Sequence, residues 1–149
     1  MAGSVYRRVL EFKQRHPGTI AWRLRANSAI VEMHLNPGEE VLYAFAAQKN
    51  DNPLNIYNTY VVALTNKRIL LGRKRLIYGY FLDSITPDMF NDLKVLGGLI
   101  WGKVYIDTVK EFVTLSNISK AALREIETEI SDYMMEEKKK YGLGEKKGA

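Results

Sequence analysis

The chain contains no cysteine. That excludes a disulfide framework, thiolate nucleophiles and thiolate metal sites, and it suits a reducing compartment. Histidine is nearly absent too. His16 precedes Pro17 in a turn, and His34 sits at an expected helix end, where a cation is favoured. Neither has a partner at a metal-ligand spacing. Long hydrophobic runs are missing: the longest extends from Val41 to Ala47, far short of the roughly 20 residues that span a membrane. The start, Met1 to Arg8, has no apolar core of the signal-peptide kind. These absences predict a soluble, cytoplasmic protein. Glu125, Glu127 and Glu129 lie about 200° or 400° apart around a helix, a charged face with no acid–base pair. No nucleophile stands beside a base, so the expectation is a protein that is not an enzyme and has no cofactor.

What is present suits one domain. A chain of 149 residues with 46% apolar content can bury an ordinary core, roughly 68–70% of its unfolded surface. The net charge of +5 resides in residues 1–25, where Arg7, Arg8, Lys13, Arg15, Arg23 and Arg25 face Glu11 alone. Such asymmetry can mark an anionic partner, a membrane surface or nucleic acid.

Residues 57–65 are rich in Tyr, Val and Thr, which suit a pleated, half-buried surface. Asn66 tolerates a left-handed backbone and can open a two-residue turn with Lys67. The register that follows sets Leu64 opposite Ile69, Val62 opposite Leu71 and Tyr60 opposite Arg73. It gives one nearly apolar face that goes to the core. The other face carries Thr65 with Arg68, Ala63 with Leu70, and Val61 with Gly72.

Around this hairpin the periodicity predicts helices over 4–15 and 19–35. The first carries a stripe of Val5, Val9 and Phe12; the second has Thr19 as N-cap. Pro17-Gly18 separates them and Asn36-Pro37-Gly38 ends the second. Strands are expected near 40–48, 57–65, 68–74, 76–82, 89–95, 98–108 and 110–116. The longest connection is Lys49 to Ile56, and Pro87 marks a break at 84–88. A final helix follows from Ile118, Ala122, Leu123, Ile126, Ile130 and Met134, capped by Asn117 or Ser119. The expected organisation is a basic helical segment over 1–38, a domain over 39–140 and a flexible tail over 141–149. Seven short strands and one amphipathic helix predict a small antiparallel barrel plugged by the helix.

Four stretches resemble a known family. Glu39-Glu40-Val41-Leu42 is similar to its first strand. Val62 to Leu70 is similar to its Thr-Asn-x-Arg hairpin, here Thr65-Asn66-Lys67-Arg68. Gly97 to Thr108 is similar to its glycine-rich strand pair, and Ser116-Asn117-Ile118-Ser119-Lys120 to its capped final helix. On these residues the chain resembles a bacterial pleckstrin-homology-like (PH-like) domain of the YokE-like group, over about 39–135. The resemblance implies a mainly β fold, a seven-stranded antiparallel barrel or sandwich capped by a C-terminal amphipathic helix. It also implies a non-catalytic module that binds lipids, proteins or its own copies. Two N-terminal helices would be an addition to that minimal domain.

The candidate anionic-ligand surface comprises Arg7, Arg8, Lys13, Arg15, Arg23 and Arg25 with the strand-end clusters Lys67, Arg68, Arg73, Lys74 and Arg75. Oriented cations of this kind suit phosphate or lipid headgroups. Their bland reading, favoured here, is solvated turns that blunt a sheet edge. Lipid-binding relatives place a Lys/Arg pattern at the first strand-to-strand loop, where this chain offers only Lys49 beside Asp51. For the N-terminal helices the leading expectation is packing on the barrel or on a second copy. Membrane-surface binding with Tyr6, Phe12 and Trp22 comes second, and DNA contact third. Gly97-x4-Gly102-Lys103 matches most of a phosphate-binding loop, but Val104 follows where Ser or Thr should stand, and a strand follows where a helix should. A glycine turn is the favoured reading. Trp101 and Tyr105 share one strand face, with core or interface packing as the default. The functional expectation is a non-catalytic binding or scaffolding module, through protein contact or self-association. The alternatives are anionic membrane lipids and then nucleic acid.

Overall fold

The computed structural model of the protein describes residues 4–49 and 58–148, with side chains as far as Lys140. Helices α1 (Ser4–Arg15) and α2 (Leu24–Met33) precede seven strands: β1 (Val41–Gln48), β2 (Thr59–Thr65), β3 (Ile69–Lys74), β4 (Tyr80–Ile85), β5 (Phe90–Gly97), β6 (Trp101–Thr108) and β7 (Phe112–Ser119). A C-terminal helix closes the chain. It has a 3₁₀ turn (Lys120–Ala122), an α turn (Leu123–Ile126), a π turn (Glu127–Ser131) and a last α-helical stretch (Asp132–Gly148). That stretch passes Tyr141, where a tail was expected to start.

The strands form one curled antiparallel sheet in the order β4-β3-β2-β1-β7-β6-β5, joined in the middle by Gln48 opposite Ser116. The hairpin register is the expected one, with Leu64 opposite Ile69, Val62 opposite Leu71, Ala63 opposite Leu70 and Val61 opposite Gly72. Inside the curl, Phe45, Val62, Leu64, Leu71, Val104, Ile106 and Leu115 pack against Ala122, Leu123, Ile126, Ile130 and Met134 of the C-terminal helix. The buried positions 122, 126, 130 and 134 advance four residues each, a drift of about 40° per step on an ideal α-helix. The wider π turn lets the stripe stay on one face.

The second face of the hairpin is buried as well. Val5 and Val9 of α1 and Val31 of α2 cover Val41, Ala44, Ala46, Val61, Ala63 and Leu70 on the outside of β1–β3. The two N-terminal helices are thus a third layer on the sheet, and α1 also sends Phe12 to the inner cluster, 5.8 Å from the Phe45 ring. Small residues make the close approach of α2 feasible. A Cβ on Gly72 would sit 2.6 Å from Val31 Cγ2 and 3.4 Å from the Val31 backbone nitrogen. Gly72→Val is therefore expected to destabilise the protein by about 1–3 kcal/mol through overpacking. Urea titration of the two proteins checks this, and an unchanged midpoint contradicts it.

Several expected boundaries and caps move, among them β6, which starts at Trp101 instead of residue 98, and β7, which spans Phe112–Ser119 instead of 110–116. The second helix starts at Leu24, not residue 19, because Arg23 takes a left-handed backbone (φ 53). Thr19 does not cap it; the buried Thr19 hydroxyl oxygen accepts a bond from Ser119 N–H (2.9 Å). Strand β4 begins at Tyr80 rather than 76, since Gly79 (φ 82) makes 75–79 a turn closed by Arg75 N–H to Gly79 O (3.0 Å). The final helix has no side-chain cap from Ser119, and Asn117 (φ 59) lies within β7 with its amide bonded to Gln48. The part of the second strand before residue 58 lies outside the described residues, as does most of the loop before it.

Candidate functional site

The Thr65-Asn66-Lys67-Arg68 hairpin is a structural clasp. Arg68 Nε and Nη2 donate to the two oxygens of Glu39 (3.0 and 3.1 Å), Nη2 also reaches His34 O (3.0 Å), and Nη1 reaches Ser84 Oγ (3.3 Å). The Glu39 side chain is 0% exposed and Arg68 19%. Glu39 also accepts from Thr65 Oγ1 (2.6 Å) and Asn36 N–H (3.0 Å). Burial pushes the Glu39 carboxyl up, but Arg68, Asn36 and Thr65 together hold it below the usual carboxylate range. Asn66 adds two bonds, accepting from Glu40 N–H (2.9 Å) and donating to Gly38 O (3.2 Å). The motif ties residues 34–40 to the hairpin, with the Arg68 guanidinium at its centre.

Other expected site residues are also committed internally. Lys13 donates to Pro17 O (3.0 Å) and Thr19 O, capping the turn after α1, and burial lowers its pKa. Arg15 grips Glu125 with Nε and Nη2 (3.0 and 3.3 Å), a hydrogen bond that raises its pKa. Glu125 takes His16 Nε2 (3.2 Å) and the Tyr43 hydroxyl (2.6 Å) as well, so it joins α1, β1 and the final helix instead of lying free on a charged face. Arg23 donates to Lys74 O (2.8 Å) and Arg75 O (3.4 Å). Arg8 lies 3.9 Å from Glu11. Arg7, Arg25 and Lys67 are exposed, Lys67 at the opposite end of β3 from Lys74. The eleven cations thus do not form one surface.

Three of them do gather. At the β3–β4 hairpin, Arg73 lies 5.6 Å from the Phe81 ring, and Arg75 lies 5.7 and 5.5 Å from the Tyr78 and Phe81 rings, with Lys74 exposed between them. The turn beyond them is apolar and open: Ile77 is 90% exposed, and Leu76 and Tyr78 are exposed beside it. No Asp or Glu occurs between Asp51 and Asp83. Sequence reasoning missed this tip by assigning it to a strand. The available signal was Gly79, which ends an apolar run directly after three cations.

The first strand-to-strand loop is less promising. Lys49 is held by Asp83 (2.7 Å) and lies 5.3 Å from the Tyr60 ring, while Asn50–Tyr57 lie outside the described residues. The glycine-rich stretch is the β5–β6 hairpin, closed by Gly98 N–H to Trp101 O (2.9 Å). A Cβ on Gly102 would collide with Leu123 Cδ1, so this glycine serves packing. Behind the hairpin is a pocket of about 290 Å³ lined by Leu96, Trp101, Lys103, Ser116 and Asn117. Trp101 faces outward and donates Nε1–H to Gly18 O (2.8 Å), while Tyr105 stacks on exposed Phe112 with ring centres 5.5 Å apart. Both lie outside the core. Among the described residues no three His, Asp or Glu side chains converge as metal ligands, and no helix is long and apolar enough to cross a membrane.

A curled seven-stranded antiparallel sheet plugged by a C-terminal helix defines a PH-like domain, and its surface features are hairpin tips and turns. The chain matches the family model of the bacterial PH domain over residues 35–132, and it belongs to that family. Such domains are in general non-catalytic modules that bind proteins or lipids. A comparison with the curated proteins gives no match. Helices α1 and α2 lie wholly before the matched region, although their side chains complete the sheet's outer layer.

Proposed function

We propose that this protein is a non-catalytic binding module of the YokE-like kind that engages an anionic partner through its β3–β4 hairpin. One observation carries the reading: Arg73, Lys74 and Arg75 stand together at an exposed turn with no carboxylate in the 31 residues around them, from Asn52 to Leu82. Clustered charge of one sign steers an oppositely charged partner and raises its encounter rate. Nucleic-acid contact by the N-terminal helices is less favoured, because Lys13, Arg15 and Arg23 are spent on internal bonds. The reading keeps the protein soluble and cytoplasmic, with contact at a surface.

Heparin, a soluble polyanion, probes the reading directly. A variant with Lys74→Glu and Arg75→Glu is expected to bind heparin about tenfold more weakly, with a flatter salt dependence. Lys67→Glu, at the far end of the same strand, is expected to change little. Equal losses from both variants contradict the assignment.

A further inference from the structure

Resting on that reading, we infer that the anionic partner is a second copy of this chain. The β3–β4 tip of one copy enters an acid-rimmed groove at the opposite end of the next. The tip is Leu76-Ile77-Tyr78, all exposed, with Arg73, Lys74 and Arg75 directly before it in the chain. The groove lies between the C-terminal helix, the start of β1 and the end of β2. Its volume, about 540 Å³, is within the ~300–1,000 Å³ of ordinary binding clefts. The floor is apolar, made by Leu42, Leu64 and the half-buried Tyr133. The rim carries Glu129, Asp132 and Glu136, which recur at spacings of three and four and so line one side of the helix.

Charge makes the two ends complementary. Residues 52–82 hold five cations and no carboxylate, whereas residues 125–137 hold six carboxylates and no Lys or Arg. Of these six, Glu125 is spent on Arg15, His16 and Tyr43. Glu136 and Glu137 have Lys139 (3.5 Å) and Lys140 (3.0 Å) beside them, surface pairs of the kind that contribute little. Lys140 stands at one end of the groove. Glu129 and Asp132 are exposed and have no ion pair among the described residues. An apolar tip backed by cations thus fits an apolar floor rimmed by carboxylates. Opposed potentials of this kind steer the encounter and fix its register.

A chain cannot fill its own groove. Leu64, on the groove floor, pairs with Ile69 at the start of β3. The tip projects beyond Lys74 at the other end of that strand, about 16 Å away. The two features therefore face opposite ways along the sheet, and only another copy brings them together. Arg23 holds the carbonyls of Lys74 and Arg75 (2.8 and 3.4 Å), so the base of the tip is fixed before contact and loses little freedom on docking. Tip and groove are different patches, which makes the contact heterologous. Each added copy leaves one tip and one groove open, so association continues past the dimer until a ring closes or the supply of copies ends.

The test is sedimentation velocity of the full-length chain over a range of concentrations, at low and high salt. The natural protein is expected to form species that grow with concentration and shrink in high salt. A tip variant, Lys74→Glu with Arg75→Glu, and a groove variant, Glu129→Gln with Asp132→Asn, should each associate about tenfold more weakly. Mixed in equal amounts, the two should pair as one-to-one heterodimers and stop there. Only the groove variant's tip and the tip variant's groove are intact, and their pairing also shows that both variants are folded. Ile77→Ser should weaken association while heparin binding stays unchanged, since this side chain meets the apolar floor. The groove variant should likewise keep its heparin binding. A chain that is monomeric at every concentration, while the tip variant still loses heparin binding, overturns the inference and leaves the anionic-partner reading intact. A monomer whose tip variant binds heparin normally overturns both. Assembly that neither variant weakens, or a mixture that does not pair, overturns the tip-in-groove contact.

Discussion

A chain beginning at residue 35, the first position of the family match, is expected to fail as a stable monomer. Truncation removes Val5, Val9, Phe12, Ile30 and Val31, all buried. Full burial of such side chains contributes about 1.5–3 kcal/mol each. Five of them amount to roughly the 5–15 kcal/mol of net stability typical of a whole domain. The helices also lose their ordering entropy on removal, which offsets part of this. What remains is a sheet whose outer face, with Val41, Ala44, Ala46, Val61, Ala63 and Leu70, is bare. Exposed apolar area of that kind drives aggregation. Gel filtration and a thermal melt followed by circular dichroism check the expectation. A monomer with one cooperative transition contradicts it and makes α1 and α2 an appendage.

Arg68→Ala is expected to be the most damaging single substitution outside the apolar core, at about 3 kcal/mol. Removing one partner of a buried pair strands the other, a loss of about 3–5 kcal/mol. The lower end applies because Arg68 retains some exposure. Glu39 would keep its bonds from Thr65 and Asn36 but lose the guanidinium that offsets its burial. The pH dependence follows from the sign of the shift. In the natural protein the folded-state pKa of Glu39 is depressed. Its contribution is therefore fully present above the ordinary carboxylate pKa and lost as pH falls through the folded value. In Arg68→Ala the depression is relieved, so the gap between the two proteins should be widest at neutral pH and narrow in acid. Urea titrations of both proteins at neutral and acidic pH measure it. A gap that is constant with pH contradicts the role given to Glu39.

The hairpin was legible because two independent signals agreed: Asn66-Lys67 placed the turn, and the alternation of Val62, Leu64, Ile69 and Leu71 placed the face. The third layer was not legible. Its sheet residues are Ala44, Ala46, Ala63 and Gly72, and small side chains read the same whether a helix or water covers them. Their smallness was itself the clue, since backbones approach closely only over such residues. The start of α2 was hidden by Arg23, because nothing in its side chain announces a left-handed backbone. The candidate site was legible only in part. Arg73, Lys74 and Arg75 were named, but Lys13, Arg15, Arg23 and Arg68 could not be told from them. A cation's partner is a fact of tertiary distance: Arg15 finds Glu125, 110 positions away.

That contact also sets an order in time. As the chain emerges from synthesis, α1 appears before the strands, but the carboxylate that receives Arg15, His16 and Tyr43 comes after all seven of them. Closing so long a loop is entropically slow, and pairings of this range delay folding. The early helix must wait, without this partner, for nearly the whole barrel to be made. The carboxylate of Glu125 is therefore a late fastening, locking α1 to the C-terminal helix across the strands between them.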